Sequence, residues 1–411
     1  MFTQSAMPCT LSSVITMTCE AAAGDPGQEP AGESGGAGGT DLLQVWAQVP
    51  DPRDRRGRRH SLTVMFALVQ AAIVSGATTW AAVRHWITVA PEQVLQSVGA
   101  RRNARTGVLE APHPDTVYRT LTGVDPAQVD AAYARYRAAQ VPDLYDDDEL
   151  IGLTVDGKTQ RGTATGDGRA RHRLGAMLAA DAITLAQLDV DGKSNEITAF
   201  VPLLDQIGDI ANMVISADMM HTQRDHARYL RRRGTHFVFP VGGNQPALFD
   251  RLDQLAWTDV PSGWTTYDRG HGRQEIRTIQ VMPAPGGLKF PHVKQVFLVE
   301  RHFYGLDGEH LSGQAVLGVT SLTAAQADAR RLAGFVRGEW SIENRDHYIR
   351  DVTLGEDRCR VRAGALPSVL AVMRSHAIGA LRLLGFTNIA EATRWARDDF
   401  THPLIALGLN I

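Results

Sequence analysis

The chain has 411 residues, enough for two or three domains with a large buried core. Apolar residues make up 44% of it and charged residues 21%, which excludes wholesale disorder. The net charge of −3 excludes a uniformly basic DNA-coating protein, although local basic patches remain compatible with it. The three scattered cysteines predict neither a disulfide framework nor a zinc site.

The first 40 residues are predicted to be a disordered lead. Between residues 21 and 40, nine of twenty residues are Gly or Pro, and the segment cannot bury enough apolar surface to offset its ordering entropy. No signal peptide is evident. The most apolar stretch, 62–83, is interrupted by polar residues and predicts buried helices instead of a membrane span. We therefore expect a cytoplasmic protein without membrane contact.

Residues 41–147 are predicted to form a helical N-terminal domain. Ser61 and Thr79 stand where each would cap a helix whose apolar residues follow helical spacing. Prolines near the predicted helix starts at 91, 114 and 126 agree with this interpretation.

From residue 148 the pattern changes to strands and helices in the order strand, strand, strand, helix, strand, helix, strand. This order predicts an α/β core with a mixed sheet over 148–244, which resumes in helices over 323–386. Strand-like runs separated by Gly/Pro-rich turns predict a β-rich insertion over 245–322. Residues 387–411 are predicted to form a C-terminal helical tail.

Three carboxylates stand where the predicted elements would bring them together. Asp156 is predicted to end the first core strand, Asp218 to end the fourth, and Glu343 to lie in a helix that crosses the same edge. Three oxygen donors without Cys or His fit Mg²⁺ or Mn²⁺. Two such ions could activate an attacking oxygen and stabilise a leaving oxygen in phosphodiester chemistry.

Two alternatives weaken this prediction. Asp191 repeats the Asp-Gly-Lys string of Asp156, but it follows an alternating strand and suits a plain turn. Glu339, Glu343 and Asp346 share one helical face, and their repulsion requires a nearby cation. That cation could be a metal, or it could be the arginines at 337, 345 and 350, which would make the face an ordinary solvated surface.

Six short strings then make the sequence recognisable. They occur in the order 154–159 (TVDGKT), 193–197 (KSNEI), 216–223 (SADMMHTQ), 270–277 (GHGRQEIR), 340–344 (WSIEN) and 351–357 (DVTLGED). Together they resemble the insertion-sequence transposases of the DDE class, in the subgroup that includes the H-repeat-associated proteins. The resemblance extends upstream to 50–53 (PDPR) and 58–60 (RRH), and downstream to Arg374.

The resemblance implies an RNase H-like mixed sheet, interrupted by a β-rich insertion before the last acidic helix. It assigns the catalytic and metal-binding carboxylates to Asp156, Asp218 and Glu343. It also implies two Mg²⁺ ions, for which Mn²⁺ can substitute, together with double-stranded DNA as substrate and a homodimer on that DNA. Such a protein would associate with the bacterial nucleoid when bound.

The chain departs from the family pattern at three positions. Glu339 stands where relatives usually carry His, Gly242 where they usually carry Lys, and Arg350 where an apolar residue is common. Each departure could alter DNA contacts or activity.

Basic residues flank each acidic motif, and arginine forks suit phosphate oxygens. The run from Arg53 to Arg59 is predicted to be a flexible arm that contacts phosphates, because prolines precede it and Gly57 interrupts it. The alternative for every group is surface charge or ion pairing. The predicted DNA-binding residues are Arg53, Arg55, Arg56, Arg58, Arg59, Lys158, Arg119, Arg231, Arg232, Arg273, Arg345, Arg358 and Arg360.

The predicted function is a DNA transposase that cleaves phosphodiesters at insertion-sequence ends and joins them to target DNA. The alternative is a nuclease or DNA-binding regulator derived from such an enzyme that no longer transposes. A weaker possibility is that 112–119 opens the second helix of a helix-turn-helix pair. A phosphatase of small substrates is disfavoured, because it leaves the helical domain and its arginines unexplained.

Overall fold

The computed structural model describes residues 41–146, 149–165, 168–190, 195–270 and 272–410. The predicted disordered lead over 1–40 lies outside these ranges, and so do Asp191 with its predicted turn, and His271.

The N-terminal region is helical, as predicted. Its helices are α1 (Leu42–Ala47), α2 (Leu62–Val74), α3 (Trp80–Val89), α4 (Glu92–Ser97), α5 (Pro114–Thr122) and α6 (Pro126–Ala138). The hydroxyl of Ser61 accepts the Val64 N–H at 3.2 Å and that of Thr79 accepts the Ala82 N–H at 3.2 Å, so both predicted helix caps are confirmed. Nearly all of α2 is buried, which explains its apolar residues on every side.

Within the described ranges, nine strands form one mixed sheet in the order β3-β2-β1-β4-β5-β9-β8-β7-β6. The strands are β1 (Ile151–Gln160), β2 (Arg171–Leu178), β3 (Ile183–Val190), β4 (Met213–Ala217), β5 (His236–Val241), β6 (Trp264–Gly270), β7 (Arg273–Pro283), β8 (Gln295–Gly305) and β9 (His310–Thr320). Strands β1, β4 and β5 are parallel, and the other pairs are antiparallel. The first five strands are the RNase H-like core that the resemblance implies.

The sheet differs from the sequence prediction in two respects. Strand β1 does not stop at Asp156 but continues to Gln160, because β2 still pairs with it there. The predicted insertion is rich in strands, and one of them, β9, pairs with β5 and so extends the core sheet. Strand β6 was not predicted, since its mixed polar and aromatic residues do not alternate. The predicted domain boundaries remain predictions.

Helices cover both faces of the core sheet. The helices from residue 196 onward are α7 (Glu196–Asp205), α8 (Arg224–Arg232), α9 (Pro246–Asp253), α10 (Ala329–Ile342), α11 (Leu366–Leu383), α12 (Ile389–Asp398) and α13 (His402–Ala406). Of these, α7 to α11 contact strands of the sheet. Helix α10 packs against β1 and β4, with Phe335 against Gly152. The tail helices α12 and α13 share one apolar core with α2 and α11.

Helix α10 changes character at its carboxyl end. After Ile342 the chain continues in wider π-type turns over Glu343–His347 and Ile349–Thr353. Such turns often occur at functional sites, because they change the direction in which side chains point. Among the described helices, none has the length and apolar character that crossing a membrane requires.

Candidate active site

Two aspartates meet at one edge of the sheet because of strand register. The parallel pairing of β1 with β4 runs from Ile151 opposite Met213 to Val155 opposite Ala217. Asp156 and Asp218 are the next residues on the two strands, so they stand side by side where this pairing ends. The predicted convergence of these two carboxylates is therefore what the fold produces, even though β1 itself runs on.

The third predicted carboxylate lies at the same edge. Glu343 ends α10, and its π-type turn also carries His347. One ligand atom from each of Asp156, Glu343 and His347 lies within 4.8 Å of the others. The His347 Nδ1 is 3.5 Å from the Asp156 Oδ2. Three side chains from two distant parts of the sequence thus converge on one point.

Burial and the charges of neighbouring carboxylates disfavour ionisation of Asp156 and Glu339. Burial raises the pKa of Asp156 to about 7, and the charges of Glu343, Glu196 and Asp218 add to this, against a 2.8 Å hydrogen bond from the Gly157 N–H. Burial, with Asp218 and Asp156, also raises the pKa of Glu339 to about 8. Clustered carboxylates with raised pKa values are typical of functional sites.

The arginines that could have neutralised this acidic face point elsewhere. Arg337 pairs with Asp268 at 3.0 Å, and Arg345 donates to the carbonyl oxygens of Ala179 and Ala180. In the part of the chain that the structure describes, neither Glu339 nor Glu343 has a basic partner within ion-pair distance. The structure thus disfavours the alternative of an ordinary surface face balanced by arginines.

The third acidic residue of that face turns inward. Asp346 is buried, with its Oδ2 3.2 Å from the Arg350 guanidinium, and it accepts hydrogen bonds from Thr184 and Ser375, each at 3.1 Å. Arg350 also binds Glu356, at 2.7 Å. The departure at Arg350 therefore completes a buried ion network instead of contacting DNA.

Glu356 lies at the centre of this network. Arg350 and Arg374 flank its carboxylate, the latter at 3.5 Å. Burial alone would raise the pKa of Glu356, but the two guanidinium groups outweigh it and lower that pKa to about 2. Nearby, Lys158 is only 7% exposed and pairs with Asp351. Its predicted DNA contact remains a prediction, which this burial disfavours.

Sequence reasoning did not single out His347. The signal was present, because His347 lies four residues after Glu343 and so on the same helical face. Burial lowers the pKa of His347 to about 4, which leaves a neutral imidazole able to accept a proton or a metal. Oxygen donors with one imidazole suit Mg²⁺ and suit Mn²⁺ somewhat better. The residues present fit a divalent cation.

The remaining departure from the family pattern is a packing effect. A Cβ at Gly242 would lie 2.5 Å from the Met219 Sδ, in the turn that follows Asp218. The Asn244 side chain also donates to the Met219 carbonyl oxygen. A longer residue at position 242 would displace Met219, so this chain trades a basic side chain for close contact between two loops.

A groove of about 680 Å³ opens beside the carboxylates. Asp218 and Glu339 line it together with strands of the insertion. Arg301 lies 3.8 Å from the ring centroid of the exposed Trp340, and Arg330 lies 4.9 Å from that of Trp264. The groove is therefore lined by acidic, basic and aromatic side chains.

The arginine run is an ordered turn rather than the flexible arm predicted from its sequence. Arg53 pairs with Asp51 at 2.7 Å and donates to the His60 carbonyl oxygen, while Arg58 donates to the carbonyl oxygens of Asp51 and Arg53. Local carboxylate and carbonyl acceptors, which the prolines and Gly57 did not reveal, hold the loop. Arg58 is exposed as well, at 41% of its side chain, but it is held by these bonds. Among the described residues of the run, the exposed side chains with no described hydrogen-bond or ion-pair partner are Arg55, Arg56 and Arg59.

The other predicted DNA contacts divide in the same way. Arg231 donates to the Thr235 carbonyl oxygen at 2.9 Å, and Arg345 is held by carbonyls as described above. The exposed ones are Arg119, Arg232, Arg273, Arg358 and Arg360. Of the possible helix-turn-helix, Asp115 pairs with Arg84 of α3, so this residue is engaged within the protein.

Comparison with known proteins agrees with this geometry. A family model described as a transposase DDE domain matches residues 149–378, and one described as DDE_Tnp_1-associated matches 43–137. The chain is 26% identical over 352 residues to YhhI of Escherichia coli K12, named as a candidate H repeat-associated transposase; the match covers 83% of this chain and 90% of that protein. YbfL of the same strain matches equally, at 26% identity over the same shares of the two chains. An uncharacterised protein of Xanthobacter autotrophicus is 32% identical over 61% of this chain and 85% of its own length.

Proposed function

The chain belongs to the DDE transposase family, and on that basis we propose that it cleaves DNA at the ends of an insertion sequence and joins them to target DNA. In this proposal Asp156, Asp218 and Glu343 are the catalytic carboxylates. The substrate is double-stranded DNA, and two copies of the chain act together on it. The protein works in the cytoplasm, on the nucleoid.

One observation carries this proposal. Strand register aligns Asp156 with Asp218, helix α10 brings Glu343 close to Asp156, and no described basic side chain neutralises Glu339 or Glu343. A cluster of unneutralised carboxylates at a sheet edge is costly, since each carboxylate raises the free energy of ionising the next. A bound divalent cation relieves that cost.

We propose Mg²⁺ as this cation, with Asp156, Asp218 and Glu343 as its ligands and a second ion sharing them. Bound there, Mg²⁺ would acidify the attacking hydroxyl and stabilise the leaving oxygen of an in-line displacement. His347, neutral and 3.5 Å from Asp156, orients that carboxylate. The buried network around Glu356 fixes the π-type turns that present Glu343 and His347.

The exposed arginines supply DNA affinity in this proposal. Acidic ligands repel a phosphate backbone, so basic side chains must hold the duplex at either side of them. Arg55, Arg56 and Arg59 project from an ordered turn of the helical region, and Arg358 and Arg360 follow the π-type turns. Arg119, Arg232 and Arg273 are further exposed contacts.

The direct experiment incubates the purified protein with a DNA fragment that carries the ends flanking its own gene. We expect Mg²⁺-dependent nicking at those ends, Mn²⁺ to substitute, and Ca²⁺ to support binding without cutting. A fragment with scrambled ends is the control and should remain intact. Binding without cutting under every metal would instead favour the alternative, a regulator derived from a transposase. Inverted repeats flanking the gene would favour a mobile element.

A further inference from the structure

The string Lys193–Ile197 is one of the six that carry the resemblance to the family, and none of its residues is among the three proposed catalytic carboxylates. Its Glu196 is the first residue of α7 and lies partly buried between β2 and the turn that follows Asp218. A hydrogen bond with His172 and the close contact with His221 lower the pKa of Glu196 to about 2, so it is ionised at neutral pH.

One oxygen of Glu196 is linked to strand β1 through the ring of His172. The His172 Nε2 lies 2.8 Å from Glu196 Oε1, and its Nδ1 lies 2.9 Å from the Thr159 hydroxyl. A Cβ at Gly157 would lie 2.3 Å from that same Glu196 oxygen and 2.7 Å from His172 Nε2. The carboxylate is thus pressed against the backbone directly after Asp156, and only glycine leaves room for it.

The other oxygen of Glu196 faces the loop that carries the second aspartate. The His221 Nε2 lies 3.4 Å from Glu196 Oε2, and the His221 N–H bonds the Asp218 carbonyl oxygen at 2.9 Å. The ring of His221 is fully buried and packs beside Phe200, with centroids 5.1 Å apart. His221 therefore cannot move without disturbing the turn that begins at Asp218.

We propose that Glu196 is a positioning residue that fixes the separation of Asp156 and Asp218 by bridging the two backbone segments that carry them. The inference rests on the proposed function, because the separation matters for a bound divalent cation. Groups that orient metal ligands from outside the ligand shell typically contribute 10–100-fold to metal affinity. Glu196 acts through His172, His221 and Gly157, and its carboxylate does not itself need to reach the metal.

The test is a calorimetric titration of the full-length protein with Mn²⁺. We expect Glu196→Gln, which removes the charge and one acceptor, to weaken Mn²⁺ binding about tenfold and to raise by a similar factor the Mg²⁺ concentration for half-maximal cleavage. The matched control is Glu391→Gln, because Glu391 also lies in the first turn of a helix, α12, but is exposed. The control should bind Mn²⁺ like the wild type.

Thermal melting separates positioning from a general structural role. A merely structural Glu196 would lower the melting temperature of Glu196→Gln and leave Mn²⁺ affinity unchanged, which would overturn the proposal. His172→Gln, which breaks the link through Thr159, is the second variant in case Glu196→Gln does not fold; we expect a loss in the same direction of about threefold. Unchanged affinity in whichever of these variants folds contradicts the inference.

A third variant distinguishes this inference from the proposed function. Asp156→Asn should lose most Mn²⁺ affinity if the carboxylates form the site. If Asp156→Asn loses affinity while the variants at Glu196 and His172 do not, only the positioning role fails. If wild type and Asp156→Asn bind Mn²⁺ alike, the metal site itself is wrong.

Discussion

Two groups of acidic side chains, one at the sheet edge and one in the buried network around Glu356, have opposite pKa shifts. At the sheet edge, Asp156 and Glu339 are crowded by other carboxylates, and their pKa values rise to about 7 and about 8. Glu356, 17 residues after Glu339, lies between two arginines, which lower its pKa to about 2. Both groups are largely removed from water, so the difference comes from their partners.

The comparison separates a group of charges that stabilises the fold from a group that serves the proposed activity. The Glu356 network is internally neutralised and holds the π-type turns together. The sheet edge is not neutralised. We expect a substitution there to lower the stability of the protein less than a substitution in the Glu356 network does, and to lower its activity more. Substitutions in the two groups should therefore differ in whether they change activity or stability.

The largest effect is expected at the sheet edge. Alanine at Asp156, Asp218 or Glu343 should reduce cleavage at least about 1,000-fold, corresponding to about 4 kcal/mol of lost transition-state stabilisation, while DNA binding persists. Gel-based cleavage and filter binding measure the two quantities. The control is Asp225→Ala, at a side chain 91% exposed on α8, which should cut normally. Cleavage by Asp156→Ala, with Asp191→Ala inactive, would show that Asp191 and not Asp156 is the catalytic aspartate.

The next effect concerns the neutralised network. Glu356→Gln should lower the free energy of unfolding by about 4 kcal/mol at neutral pH, because Arg350 and Arg374 are left buried without their carboxylate. Urea unfolding measures this. The pKa of Glu356 is depressed, so its stabilisation exists above the ordinary glutamate value and disappears as pH falls towards about 2. A variant as stable as the wild type at pH 7 would mean that the network contributes nothing.

A smaller effect of opposite sign is expected for Glu339→Gln in the absence of metal. The raised pKa of Glu339 means that the folded state favours its protonated form, and that this advantage disappears as pH rises from about 4.5 to about 8. The permanently neutral variant should therefore gain about 2 kcal/mol of unfolding free energy at pH 8.5 and almost nothing at pH 4. Glu391→Gln should show no such pH dependence. A loss of stability in Glu339→Gln at pH 8.5 would contradict the account.

The smallest effect concerns the DNA contacts. Changing Arg55, Arg56 and Arg59 to Ala should make the log–log salt dependence of binding shallower by about 2.7, or roughly 0.9 per phosphate contact, for every DNA sequence. Adding Arg53→Ala and Arg58→Ala should change the slope little further, because these side chains already bind Asp51, His60 and their own loop. An unchanged slope in the threefold variant would move DNA binding towards α5.

Much of this molecule was predictable from local sequence. The caps at Ser61 and Thr79 and the order of strands and helices along the chain over 148–244 follow from patterns that span a few residues. The convergence of Asp156 and Asp218 was predictable because parallel strands present their ends at one edge. The register aligns Asp156 with Asp218, which is the physical reason for expecting the two carboxylates side by side; their catalytic role stays a prediction.

What sequence could not supply was the set of partners that each charge finds. Arg337, Arg345 and Arg350 are equivalent neighbours of the acidic face in sequence, yet they bind Asp268, two backbone carbonyls and Glu356. These partners lie tens or hundreds of residues away or depend on the π-type turns. The sequence likewise predicts a flexible arm at the arginine run, because the hydrogen bond from Arg53 to the His60 carbonyl oxygen has no sequence signature.

Proton release on metal binding tests the central claim most directly. Mn²⁺ is titrated into the protein at pH 7 in two buffers of different ionisation enthalpy, and the difference in heat gives the protons released per ion. Because the pKa of Asp156 is raised to about 7 and that of Glu339 to about 8, Asp156 is partly and Glu339 largely protonated at pH 7 without metal. The account therefore predicts release of about one proton per ion. Mn²⁺ binding at this site with no proton released would contradict it, since the carboxylates would then be ionised and already neutralised by other groups.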